Sequence, residues 1–264
     1  MKTLKEYIIE GILDIEDNIE NLTRESLIED FIKENYEIKY GNLQIKKNRD
    51  KYIVSTKGTV LVKNKNITAL TNGVFEWGEV NSFYCMDCTL LKDLTGAPKK
   101  VGESFSCYEC TSLESLDGAP EEVGSDFICS SCTSLKSLKG APKEVGEYFS
   151  CVRCTSLKSL EGAPKKVGGD FYCDKCISLK SLEGAPEKVG ENFSCIECTS
   201  LQSLKGAPKK VGRDFYCSGC TSLKDLIGAP KEVGINFYCE KCGKKFTKED
   251  VEKVCNVTSR VIYV

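Results

Sequence analysis

Cysteine recurs along this chain with a fixed period. Sixteen of its 17 cysteines form Cys-x-x-Cys pairs at Cys85/Cys88, Cys107/Cys110, Cys129/Cys132, Cys151/Cys154, Cys173/Cys176, Cys195/Cys198, Cys217/Cys220 and Cys239/Cys242. Each pair follows the last by 22 residues, and Cys255 stands outside the series. All seven prolines keep the same step, from Pro98 to Pro230. The stretch CTSLKSLEGAPKKVGGDFYC (154–173) returns as CTSLQSLKGAPKKVGRDFYC (198–217). A unit this short cannot bury an apolar face alone, so copies must stack on one another as a solenoid.

One coil can be read from its apolar positions, Val101, Phe105, Cys107, Cys110, Leu113 and Leu116. Phe-x-Cys has the alternation of a short strand with both side chains inward, and Leu-x-x-Leu supplies the next inward pair. Gly-Ala-Pro turns the chain, since Pro fixes φ and Gly tolerates unusual backbone angles. The expected fold is a β-rich solenoid with one parallel strand per 22-residue repeat, neighbouring strands about 4.8 Å apart. The solenoid is assigned to residues 81–245. Residues 1–40 are assigned to a helical N-terminal cap or arm, 41–80 to a β-rich capping segment with a degenerate repeat, and 246–264 to a helix–strand cap.

The run Cys154-Thr155-Ser156-Leu157-x-x-Leu160, with the following A-P-x-x-V, resembles the leucine-rich repeats, particularly the short Treponema-type units. The resemblance covers about residues 80–245 and implies a right-handed coil. The chain departs from the common pattern in carrying Cys where an Asn usually ladders along the turn. The Gly-Ala-Pro-x-x-Val-Gly unit also resembles repeats of tailed-phage proteins.

The cysteines admit more than one chemistry. FYCEKCGKKF (237–246) looks like half of a two-Cys, two-His zinc finger, but the chain has no His. The spacing C-x2-C-x18-C-x2-C suits a four-cysteine zinc site. A uniform column, however, offers no alternation by which coils could pair off. Bridged Cu(I) or iron–sulfur clusters suit such a column better than discrete Zn sites. The alternative reading is therefore a metal–thiolate ladder on all sixteen paired cysteines. The main reading has no cofactor: free Cys is a small buried hydrophobe with a weak S–H donor. A degenerate coil supports it. Thr59, Leu61, Asn64, Ile67 and Leu70 align with Phe83, Cys85, Cys88, Leu91 and Leu94, placing Leu and Asn where cysteines would stand.

Both ends of a solenoid need caps. Leu4, Ile8, Ile12 and Ile15 or Ile19 recur at near-helical spacing. A second helix is expected from Thr23 or Ser26, with Ser26-x-x-Glu29 as capping box and Leu27, Ile28, Phe31 and Ile32 apolar. Residues 43–62 read as short strands with a turn near Lys57-Gly58. Toward the other end, Thr247 caps a short helix with Asp250 closing the capping box, and Val261 to Val264 read as a closing strand.

Net charge is −2, so no general attraction to nucleic acid is implied. Residues 1–40 hold eleven acids and five bases, and 41–66 seven bases and one acid, read as two solvated faces. No apolar run approaches a membrane span. The first twenty residues lack a secretory pattern, so a reducing cytoplasm is the expected location.

No phosphate loop, G-x-S-x-G elbow or His-based constellation is present, so the chain is expected not to be an enzyme. Function is expected where near-identical repeats differ. The position between Phe and the first Cys reads Tyr84, Ser106, Ile128, Ser150, Tyr172, Ser194, Tyr216 and Tyr238, and Tyr148 precedes a Phe. Such a Tyr/Ser face, outward from the sheet, suits a protein or glycan partner better than nucleic acid.

Overall fold

The computed structural model describes residues 24–264 apart from 50, 72 and 260. The chain begins with α1 (24–35), followed by β1 (Tyr36–Lys39), β2 (Gln44–Asn48), β3 (Lys51–Val62) and β4 (Phe75–Tyr84). Strand β3 pairs parallel with β4, and β1 and β2 lie antiparallel along its other edge. Each later coil adds two short parallel segments, first β5 (Lys100–Val101) and β6 (Phe105–Ser106), and so on through β7–β16 to β17 (Glu232–Val233) and β18 (Asn236–Tyr238). Like segments pair with like at one residue per repeat, as in Phe149 against Phe127 and Phe171.

The two segments are halves of one interrupted strand. In β4 the run Val80-Asn81-Ser82-Phe83 is continuous, and it pairs with both β5 and β6. Later coils insert one residue there, as Val101-Gly102-Glu103-Ser104-Phe105, and the strand breaks into two. The inserted glycines stack at a spacing no other residue allows. A Cβ on Gly146 would lie 1.8 Å from Gly124 O, on Gly168 1.9 Å from Gly146 O, and on Gly190 1.7 Å from Gly168 O.

The interior repeats coil by coil. Val, Phe, both cysteines and both leucines of each repeat are buried, with Cys242 at the end half-buried. The phenylalanines from Phe83 to Phe237 stack with centroids 5.0–5.9 Å apart, an aromatic spine along the axis. Outside, charges facing each other across coils pair up, as in Lys100 with Glu122, Lys166 with Glu144 and Lys210 with Glu232. These exposed pairs contribute at most about 1 kcal/mol each.

The N-terminal cap continues the spine. Phe31, Tyr36, Phe75 and Trp77 form edge-on contacts that end on Phe83. Tyr36 OH and Trp77 Nε1 both donate to Leu70 O. Ile28 and Ile32 are buried and Phe31 packs against the core, while Leu27 is exposed. Three local expectations are corrected here. Ser26 does not cap α1, because Arg24 and Glu25 are already helical; Thr23 and the residues Leu4 to Ile19 lie outside the described residues. The chain does not turn at Lys57-Gly58 but runs through it as β3, where Gly58 allows close approach to Gly41. The degenerate coil is shifted by one residue: Val60 pairs with Phe83 and Leu61 with Tyr84, so Val60 and Val62 face inward, in place of Thr59 and Leu61. Ile67 and Leu70 are nevertheless buried like Leu91 and Leu94, so the one-residue difference falls in the turn after Val62.

At the far end, α2 (Lys248–Glu252) carries the expected capping box between Thr247 and Asp250. Strands β19 (Asn256–Val257) and β20 (Val261–Tyr263) then pair parallel with β17 and β18. The cap is thus a further coil in which a helix replaces Leu-x-x-Leu.

Candidate functional site

Two features could carry function, the inward cysteine columns and the outward face beside them. The first-position cysteines sit at the end of each strand. The second-position ones follow a tight turn, whose last residue is left-handed in every coil: Asp87, Glu109, Ser131, Arg153, Lys175, Glu197 and Lys241 at φ 54–60°, and Gly219 at 75°. That conformation keeps the turn amides on the inter-coil ladder, as in Glu109 N to Ser130 O and Arg153 N to Asp174 O. It also turns the second thiol back toward the previous coil.

There each second thiol donates to the carbonyl of the preceding first cysteine. Cys110 Sγ reaches Cys85 O at 3.0 Å, Cys132 reaches Cys107 O at 3.2 Å, and Cys154 reaches Cys129 O at 3.1 Å. Cys176 follows on Cys151 O at 3.2 Å, Cys198 on Cys173 O at 3.1 Å, Cys220 on Cys195 O at 3.1 Å, and Cys242 on Cys217 O at 3.3 Å. Cys88, which has no cysteine rung before it, lies 3.6 Å from Met86 O instead. Some first thiols donate forward, Cys173 to Ser194 O and Cys217 to Tyr238 O. The thiols therefore occupy the role of a ladder Asn. In the degenerate coil Asn64 takes a similar part, donating to Asn35 Oδ1 and accepting from Asn66 N.

Ionisation is opposed deep in the columns. The neighbouring thiol of the next coil and then burial hold Cys107, Cys129, Cys151 and Cys195 well above the ordinary value of 9.0, and burial comes first for Cys173 and Cys217. At Cys176 the Cys151 contact pulls down and burial pushes up, leaving the thiol at about 11. Cys242 differs: its contact with Cys217 pulls it below the ordinary value.

Among the described residues no three Cys, Asp or Glu side chains converge as a metal ion would need. This holds at every rung, Cys85 with Cys88, Cys107 with Cys110, Cys129 with Cys132, Cys151 with Cys154, Cys173 with Cys176, Cys195 with Cys198, Cys217 with Cys220 and Cys239 with Cys242. The second thiols are engaged by the backbone. Cys198, for example, is spent on the Cys173 carbonyl, so its sulfur is aimed at backbone.

The outward face is less uniform. Tyr84, Ile128, Tyr148, Tyr172, Tyr216 and Tyr238 are half-buried, whereas Ser106, Ser150 and Ser194 are buried beneath their neighbours. Ser150 Oγ bonds Ser130 Oγ at 2.7 Å, and Ser194 Oγ donates to Asp174. The surface available to a partner is therefore the aromatic subset. Tyr148 meets Tyr172 edge-on at 5.3 Å, and Tyr216, Tyr238 and Tyr263 stack at 4.5 and 4.4 Å. Tyr263, outside the sequence-derived set, continues that column because β20 continues the sheet.

Beside the tyrosines runs a polar ladder, formed by the residues that precede each Phe. The residue before Phe accepts the amide of its counterpart one coil on: Tyr148 N to Asp126 Oδ1, Asn192 N to Asp170 Oδ1, Asp214 N to Asn192 Oδ1 and Asn236 N to Asp214 Oδ1. These are amides left over where the strand breaks, and short Asp or Asn side chains satisfy them. Tyr216 OH donates to Asp214 Oδ2 at 3.0 Å, tying the aromatic column to the ladder. Burial first, and then the Asp170 carboxylate, push Tyr172 up to about 12, so its hydroxyl stays a donor near neutral pH.

No described helix is long and apolar enough to cross a membrane. Comparison with family models, with curated proteins and with solved structures finds no match.

Proposed function

We propose that this chain is a non-catalytic, leucine-rich-repeat-like scaffold that recognises a protein or glycan through the aromatic strip on the outward face of its parallel sheet. One observation carries the reading. Every coil shares the same interior, yet half-exposed rings gather on one outward strip, Tyr148 with Tyr172 and Tyr216 with Tyr238 and Tyr263. Tyrosine offers large contact area with few rotatable bonds and a polar tip, which suits recognition. The rings are held by stacking and by Asp214, so little ordering remains to be done on binding.

The thiols serve the interior in this reading. Their donors are engaged by backbone carbonyls, as Cys154 is by Cys129 O and Cys198 by Cys173 O. The test replaces Tyr172, Tyr216 and Tyr238 together by Ser, which other coils carry in the same column. Wild-type and variant are compared on peptide and glycan arrays, with circular dichroism as the check on folding. The reading expects a retained fold and loss of the wild-type binding pattern. An unchanged pattern on a folded variant refutes it.

A further inference from the structure

The interior repeats every coil, but the outward face repeats every second coil. Between Phe and the first Cys, small Ser106, Ser150 and Ser194 alternate with large Ile128, Tyr172 and Tyr216. Just after the first Cys the order reverses: Tyr108, Val152 and Ile196 fall in the serine coils, and Ser130, Asp174 and Ser218 in the others. The small members meet along a diagonal between coils, Ser150 on Ser130 and Ser194 on Asp174. The equivalent diagonal one coil on sets Tyr172 beside Val152 and Tyr216 beside Ile196, all half-buried. The face is therefore a file of apolar patches, one for every two coils, or about 9.6 Å at the strand spacing of a sheet. Each patch has a carboxylate at the same place, Asp126, Asp170 or Asp214, just before the Phe of its coil. Elsewhere opposite charges meet across coils, as Lys139 meets Glu161 and Lys205 meets Glu183. Among the described residues these three aspartates bond only uncharged groups: Asp126 takes Ser104, Ser125 and Tyr148 N, Asp170 takes Asn192, and Asp214 takes Tyr216 and Asn236 N. The fold asks for an oxygen there and not for a charge, since Asn192 Oδ1 accepts Asp214 N at 3.1 Å in the same column.

We propose that the outward face binds a proline-rich, arginine-bearing segment of a partner protein, laid along the solenoid axis in the polyproline II form. The proposal rests on the reading of this face as a recognition surface and names the chemistry of its partner. A polyproline II helix brings every third residue to the same side and rises about 3.1 Å per residue, so its face repeats about every 9.3 Å, close to the two-coil step. Proline rings pack against aromatic side chains, and the segment is extended before it binds, so little ordering is lost. An arginine at each third position meets one aspartate per step. Its guanidinium makes charge-assisted bonds to the carboxylate and stacks on a Tyr ring, two contacts that this face sets side by side. A β-strand ligand fits less well, because residues three apart in a strand point to opposite sides.

The test uses the full-length chain and a fluorescein-labelled peptide of about twelve residues repeating Pro-Pro-Arg, read by fluorescence anisotropy. A second peptide has the same composition with its arginines in one block. The expected result is saturable binding of the first, at least about tenfold tighter than the second and weakened by salt. In Asp126→Asn/Asp170→Asn/Asp214→Asn, which keeps the ladder oxygens, the affinity should fall at least about tenfold. The control Glu144→Gln/Glu183→Gln/Glu232→Gln, on ion-paired carboxylates elsewhere, should bind as the parent does. No binding, equal binding of the two peptides, an unchanged affinity in the aspartate variant, or equal loss in the two variants each overturns the proposal. Failure here is separable from failure of the aromatic-strip reading. If a glycan array responds, Tyr replacement abolishes the response and the Pro-Pro-Arg peptide stays unbound, the strip reading stands and this proposal falls. Should the aspartate variant unfold by circular dichroism, the comparison of the two peptides on the parent chain decides.

Discussion

Gly168 shows how much one position can demand. Its missing side chain is the reason successive Val-Gly corners can stack, because a Cβ there would sit 1.9 Å from Gly146 O. The atoms it would meet are all Gly146 backbone, with nothing flexible to move aside, so Gly168→Ala must pry two coils apart. Overpacking in cores costs about 1–3 kcal/mol and sometimes more, and the upper end is expected here. The measure is the urea midpoint, which should fall sharply; an unchanged midpoint would mean the corners do not touch. The sequence shows this glycine in every repeat but not the reason for it. The left-handed turn residue was less legible still. Gly219 is the lone glycine at that site, while Arg153, Glu197 and their counterparts adopt the same backbone without one.

At the level of the element, the two cysteine columns separate into different jobs. Cys151 ends a strand and fills space, and Val62 stands at the corresponding place in the degenerate coil. Cys154 carries a donor aimed at Cys129 O. Cys151→Val should therefore cost less than about 1.5 kcal/mol, as volume-conserving core swaps do. Cys154→Val strands a buried carbonyl as well and should cost about 1–3 kcal/mol more. Urea unfolding of the two variants side by side checks the order, and equal costs would show that the second thiol is mere filler. Period and polarity made the coil legible in the sequence, down to Phe-x-Cys pointing inward and the Thr247 capping box. They did not reveal that an inserted residue splits each strand. That split decides which amides the Asp126, Asp170, Asn192 and Asp214 ladder must satisfy. The degenerate coil differs by one residue from the alignment on Ile67 and Leu70, because the length of the turn after Val62 cannot be seen in a period of two.

Over the whole molecule the thiols act as one body. Cys107, Cys129, Cys151, Cys173, Cys195 and Cys217 are all held well above the ordinary 9.0 in the folded state. Above pH 9 the unfolded chain loses protons that the folded chain keeps, so it binds fewer protons and stability falls as pH rises. The contribution is complete below pH 9 and declines above it, by about 1.4 kcal/mol per pH unit for each such thiol. With several thiols in step, the solenoid should melt steeply between about pH 9 and 11, followed by circular dichroism. A flat profile would show that the thiols are exposed or already ligated.

The account rests on cysteines that are protonated, hydrogen-bonded to the backbone and free of metal, leaving recognition to the outer face. Its most direct test is elemental analysis of chain purified anaerobically under reducing conditions, with thiols counted on the same sample after unfolding. The prediction is 17 titratable thiols and metal well below one ion per chain. A metal content approaching one ion for every two coils, with thiols masked in proportion, would contradict it.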